Sequence, residues 1–189
     1  MRLNDVTNLS LKSGDILFVS TPAYLYRKVA QATGSPASHV GIAFEDPRRG
    51  WLVAESAVPL SRYSPLRRFL RRSDRGWFAV RRLPRELTAA EVVALRAACD
   101  RRMGLWYHTG FNYESRRMFC SKFVHEVYRE ALGLEIGTVE TFGELLRRNP
   151  EEGLGFWKLW FFGRIPWARR TVTPASQLCS PALRNVTQV

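Results

Sequence analysis

Cys120, His39 and Glu55 lie far apart in the chain, yet their types are those that covalent acyl transfer requires. A thiol attacks a carbonyl as its thiolate, a base must take and return a proton, and that base needs an acceptor to hold its orientation. Cys120 stands in "RMFCSKFVHEVYREALG", Arg117 to Gly133. In its later part Phe123, Val124, Val127, Tyr128, Ala131 and Leu132 recur at helical spacing, and Gly133 ends the run. The cysteine therefore falls in a first helical turn, where unpaired N–H groups and the helix dipole favour negative charge. Lys122, Arg116 and Arg117 would act in the same direction, and the same N–H groups suit an oxyanion. Cys120, Val124, Val127 and Ala131 share one face, so the thiol points into the body of the domain. Taken alone, a cysteine on an apolar helix face is more often a core residue than a nucleophile.

The chain has three histidines from which a base could come. His125, five residues after Cys120, lies on another side of the helix and reads as an exposed or satisfied helix residue. His108, in the aromatic loop "GLWYHTGFNY", stays open. His39 is the better candidate: in "SHVGIAFED" it lies on the strand face opposite the Val40, Ile42, Phe44 stripe. The competing reading is a strand-end histidine facing water. A Pro47 to Gly50 turn leads from this strand into "WLVAESA", so the two form a hairpin. With even pairing parity, His39 and Glu55 share a face as opposite or diagonal neighbours, whereas a one-residue slip separates them. Glu55 sits among apolar residues, where a carboxylate without a partner is costly.

Further elements must carry these residues. "SGDILFVS" and "GWFAVRRL" read as short strands, with a basic helix near Ser64 to Arg72 between them. The second half is helical: Thr88 and Glu91 form a capping box for a helix that stops at Gly104, and a short helix spans Val139 to Arg148, ending before Pro150. Strands followed by helices indicate an α+β fold, and 189 residues suit one domain over 1–189.

Taken together and in order, "GDILF", "SHVGIAF", "LVAESAVPLSRYSPL", "FAVRRL", "MGLWYHTGFNY", "FCSKFVHEVYREALG" and "TVTPASQLCSPAL" resemble the YiiX-like proteins, circularly permuted members of the NlpC papain-like amidase superfamily. The resemblance covers most of the chain. It implies a permuted papain-like core in which an antiparallel sheet or barrel carrying the histidine and its acidic partner precedes the cysteine helix. It further implies Cys120 as nucleophile, His39 as base and Glu55 as the residue orienting the imidazole. Tyr107, in the Gly-x-x-Tyr element "GLWY", and Ser121 are implied to line the site or assist the oxyanion. Cys99 and Cys179 match no catalytic element. The activity implied is a cysteine amidase or peptidase acting on a small peptide or amino-acid conjugate. Relatives of lecithin:retinol acyltransferase share the permuted architecture and work on acyl lipids, which makes a lipid acyl hydrolase or acyltransferase the alternative. A catalytically silent binding module is the third reading.

Composition narrows the surroundings. Three widely spaced cysteines argue against a disulfide framework, and the absence of C-x-x-C and histidine-pair patterns argues against a structural metal; no cofactor is expected. No apolar tract reaches the length of about eighteen residues that spans a membrane. The N-terminal stretch lacks a basic segment, an apolar run and a cleavage site, which places the protein in the cytoplasm. A net charge of +12, nearly all from arginine, attracts anionic partners, although a solvated surface accounts for it equally simply. No zinc-finger, RNP-like or basic-zipper pattern supports nucleic acid. The segment "GLGFWKLWFFGRIPWARR" (Gly153 to Arg170) departs from the family pattern in its aromatic content. It reads either as a short helix docked on the core or as an interfacial segment settling on an anionic membrane.

Overall fold

The computed structural model describes residues 10–149 and 153–188. The N-terminal stretch read for a leader and Pro150, expected to stop a helix, lie outside them. Strand β1 (Ile16–Val19) is followed by helix α1 (Tyr24–Thr33) and then by β2 (His39–Asp46), β3 (Gly50–Ser56) and β4 (Ser61–Pro65). Helix α2 (Leu66–Leu70) and β5 (Phe78–Arg82) complete the first half. Helices α3 (Ala89–Asp100) and α4 (Cys120–Leu132), strand β6 (Glu140–Thr141), helices α5 (Phe142–Arg148) and α6 (Gly155–Trp160), strand β7 (Arg170–Thr171), helix α7 (Pro174–Leu178) and strand β8 (Arg184–Gln188) follow.

Six strands form one antiparallel sheet in the order β4-β3-β2-β1-β5-β8, and β6 pairs with β7. Both faces of the central strands are buried, so "ILFV" reads as an unbroken apolar run instead of an alternating one. Ile16, Phe18, Val40, Ile42 and Phe44 face α3 and α4 through Leu95, Val124 and Val127. Leu17, Val19, Ala43, Val53 and Val80 face α2 through Leu66 and Phe69. A third apolar cluster joins α1, α5, α6 and the loop at residues 107–113, with Tyr107, Phe142, Leu146 and Trp157 at its centre.

Helices α3 and α4 form where the sequence places them, except that α3 ends at Asp100, before the expected stop at Gly104. Thr88 and Glu91 make the reciprocal cap of α3. Gly133 ends α4 at φ 67°, a left-handed conformation that glycine adopts without strain. The buried Tyr128 hydroxyl of α4 donates to the carbonyl of Gly14, tying the helix to the turn before β1. The region expected as a basic helix from Ser64 to Arg72 divides in two: Ser61–Pro65 is an edge strand on β3, and only Leu66–Leu70 is helical. Here hydrogen bonding to β3 overrides a local pattern with no apolar alternation. Two short helices thus interrupt the strands, and the last strand joins the sheet only after the helices.

Candidate active site

Cys120 is the first residue of α4, preceded by the extended Phe119, and is buried. His39, Tyr107 and the Ser121 backbone N–H are the groups that act on its sulfur. Burial pushes a thiol pKa up, but hydrogen bonding and charge from His39, then Tyr107 and the Ser121 N–H, reverse this and hold it below its ordinary value. The depression expected from Lys122 has another origin, because the Lys122 ammonium is itself buried against the carbonyls of Ser115 and Arg117 and lies 3.5 Å from Glu126.

His39 is the first residue of β2 and is buried. The hairpin register pairs Ile42 with Ala54, making His39 and Glu55 diagonal neighbours on one face. His39 Nε2 donates to Glu55 Oε2 at 2.5 Å. Nδ1 has no hydrogen-bond partner and is the ring nitrogen left to serve Cys120, which acts on the His39 charge. Burial opposes charge on the ring, yet Cys120 and Glu55 outweigh it and raise the His39 pKa to about 9. Gly41, directly opposite Glu55, keeps this corner open: a Cβ there would lie 2.5 Å from Val53 Cγ1 and 2.9 Å from the Ala54 carbonyl oxygen.

The Glu55 side chain is entirely buried. Burial raises a carboxylate pKa, but His39, Arg72 and the Ser64 hydroxyl bring it down to about 2. Arg72 Nη2 donates to both carboxylate oxygens at 2.7 Å and stacks its guanidinium over the Phe69 ring. In the sequence Arg72 reads only as the end of the expected basic helix from Ser64. The one signal for it was the need of a buried Glu55 for a cation.

Two tyrosines complete the site. The Tyr107 hydroxyl lies 4.0 Å from Cys120 Sγ. Tyr26, from α1, lies beside Tyr107 with ring centroids 6.5 Å apart and meets the His39 ring edge-on at 5.6 Å between centroids. Burial, then the neighbouring Cys120, pushes both phenols well above their ordinary pKa, so both remain proton donors. Nothing in the sequence marked Tyr26. Ser121 uses its hydroxyl elsewhere, donating to the Val172 carbonyl at 2.7 Å, so its backbone N–H is the group that acts on the sulfur. Gln177 of α7 donates to the Ser121 carbonyl at 2.8 Å and secures the same turn. Beside Cys120 lies an apolar cavity of about 30 Å³, walled by Tyr26 and Val29 of α1, Phe142 and Leu146 of α5, Trp157 of α6, and Val172.

The structure therefore brings Cys120, His39, Glu55, Tyr107 and Ser121 together and leaves the other histidines outside. His125 is buried, its Nδ1 bonded to the Ile136 carbonyl at 3.0 Å, so it is a satisfied core residue and not an exposed one. His108 Nδ1 accepts from the Gly110 N–H at 3.0 Å. Cys99 is buried in the core and its thiol pKa is pushed up by burial, while Cys179 is exposed. Among the described residues, no three His, Cys, Asp or Glu side chains are placed to hold a metal ion. No helix among them is long and apolar enough to cross a membrane.

Comparison with known proteins identifies the family and the fold. Residues 10–187 match the family model described as permuted papain-like amidase enzyme, YaeF/YiiX, C92 family. The chain is 26% identical over 175 residues to the uncharacterized protein YiiX of Escherichia coli (strain K12), covering 93% of this chain and 85% of that one. It superposes on the crystal structure of metalloprotein yiiX from Escherichia coli O157:H7 with a TM-score of 0.84 and 26% identity, covering 94% of this chain and 97% of that chain. The chain order of the clustered side chains, His39 and Glu55 before Cys120, suits a permuted core. The chain belongs to the C92 family of permuted papain-like amidases.

Proposed function

We propose that this protein hydrolyses an amide bond in a small peptide or amino-acid conjugate, with Cys120 as nucleophile, His39 as acid and base, and Glu55 as the group that orients His39. The observation that carries this reading is the divided allegiance of His39: Nε2 is bound to a buried carboxylate, and Nδ1 is left for a thiol at a helix N-terminus. The opposite shifts of Cys120 and His39 favour a thiolate–imidazolium pair in the resting site. The thiolate forms a bond to the carbonyl carbon, and the carbonyl π electrons move onto oxygen. The Cys120 N–H and the Tyr107 hydroxyl are the donors nearest that oxyanion in this reading. Collapse breaks the carbon–nitrogen bond as the His39 imidazolium protonates the leaving amine, giving a thioester. Neutral His39 then takes a proton from water, and hydroxide attack releases the carboxylic acid and restores the pair.

A second reading, hydrolysis or transfer of a lipid acyl chain, draws support from the mainly apolar surface of the cavity beside Cys120, which Thr33, Ser38, Ser121, Thr171 and Thr173 also line. The E. coli O157:H7 relative is described as a metalloprotein, but the donors here do not form a metal cluster among the described residues, and no step is routed through a metal. A panel of electrophilic peptide and acyl-lipid probes, with labelled residues identified by mass spectrometry, tests the proposal. Peptide probes are expected to mark Cys120 and spare Cys99, and Cys120→Ala is expected to abolish both labelling and turnover. Preferential capture of acyl-lipid probes selects the second reading. No labelling by any probe, or turnover unchanged in Cys120→Ala, contradicts a nucleophilic Cys120 and favours a silent module.

A further inference from the structure

We propose that the outer faces of α1 and α6 form a docking surface for an anionic lipid bilayer. The aromatic segment expected either to dock on the core or to face a membrane divides between the two. Trp157 is buried against Phe142, Phe156 and Phe161, while the Trp160 indole N–H donates to the Thr109 carbonyl at 3.1 Å. The opposite side presents Leu159 at 80% and Phe162 at 95% exposure. Phe162 is held at φ 50°, a left-handed conformation uncommon for a bulky side chain, by its N–H bonding to the Leu159 carbonyl at 3.2 Å.

Helix α1 extends the patch. Tyr24, 66% exposed, packs edge-on against Phe156 at 5.4 Å, and the Lys28 ammonium lies over its ring. Around these apolar groups stand Lys28, Lys158 and Arg164, none of which has an ion-pair partner among the described residues. Residues 16–44 and 153–170 contain no aspartate or glutamate. Exposed aliphatic and aromatic side chains rimmed by cations without an ion-pair partner among the described residues match the acyl boundary and negative headgroups of an anionic bilayer. The same two helices wall the Cys120 cavity on their inner side through Tyr26, Val29 and Trp157, so they stand between a bilayer seated here and the site. Docking does not depend on the amide-hydrolysis reading and stands or falls separately.

Flotation of the full chain with vesicles tests it. Binding is expected to phosphatidylcholine vesicles that contain phosphatidylglycerol and not to phosphatidylcholine alone. The charge-neutral double variant Leu159→Ser/Phe162→Ser should weaken partitioning about tenfold or more, and Lys158→Gln should weaken it about fivefold at low salt. Thermal melting and Cys120 labelling, both expected to match the parent, show that the double variant is folded. No flotation with phosphatidylglycerol vesicles at low salt overturns the proposal. It is equally overturned if the double variant floats as well as the parent, because the net charge of +12 alone would then account for binding. Apolar-dependent capture by an acidic protein with no vesicle binding would reassign the surface and also overturn it.

Discussion

At the residue scale the account rests on two groups shifted in opposite directions. Burial resists ionisation of both Cys120 and His39, but each supplies the charge that the other lacks in an apolar pocket. Removing the imidazole in His39→Ala leaves burial unopposed, so the Cys120 thiol pKa should rise and alkylation at neutral pH should slow by about tenfold or more. Stopped-time labelling with iodoacetamide measures this, and an unchanged rate would detach the thiol from the histidine. Glu55 was legible in the sequence as a carboxylate that had to find a partner. Arg72 was not, because it lies in an arginine-rich run from Arg67 to Arg75 and only the turn after α2 selects it from its neighbours. Arg72→Met should cost about 1–3 kcal/mol, since it leaves a buried carboxylate with one strong donor fewer. Urea unfolding reads that loss, and a variant as stable as the parent would remove Arg72 from the buried network.

At the element scale the β2–β3 hairpin does most to assemble the site. Its turn and alternation were readable, and the parity that brings His39 beside Glu55 holds in the structure. Gly41→Ala tests the packing that keeps this corner open. Its methyl would meet both Val53 and the Ala54 carbonyl, so a loss of about 1–3 kcal/mol is expected, with slower Cys120 alkylation as the hairpin shifts. Thr88→Ala supplies the contrast: loss of the α3 cap should cost about 1 kcal/mol while leaving alkylation of the folded protein unchanged. If both variants slowed alkylation alike, the effect of Gly41 would be general instability and not geometry. Strands β4 and β8 escaped the sequence because they join a sheet edge through backbone pairing, with little apolar alternation to announce them. Helix α1, which delivers Tyr26, escaped because its apolar positions serve the third cluster and not the main core.

At the scale of the whole molecule, the site exists only when distant parts dock: β2 and β3 bring His39 and Glu55, α1 brings Tyr26, and α4 brings Cys120. Three of those parts were marked by residue types that demand partners, whereas the contacts between them depend on sheet order and helix packing that no local pattern encodes. The assembly also carries a pH signature. Glu55 has an ordinary value of 4.5 and falls to about 2 when folded, so its contribution is complete above 4.5 and is lost as pH drops toward 2. Urea midpoints should therefore fall through that window, and Glu55→Gln should flatten the fall. On the alkaline side Cys120 and His39 shift oppositely and their linked effects offset. The most direct test of the central claim is the pH dependence of Cys120 alkylation, followed by mass spectrometry in the folded and the urea-unfolded chain. The thiolate–imidazolium account predicts an inflection well below the ordinary thiol value of 9.0 in the folded chain only, with Cys120 reacting faster than Cys99 or Cys179 at neutral pH. Coincident inflections in the two states, or labelling of Cys120 no faster than Cys179, would contradict it.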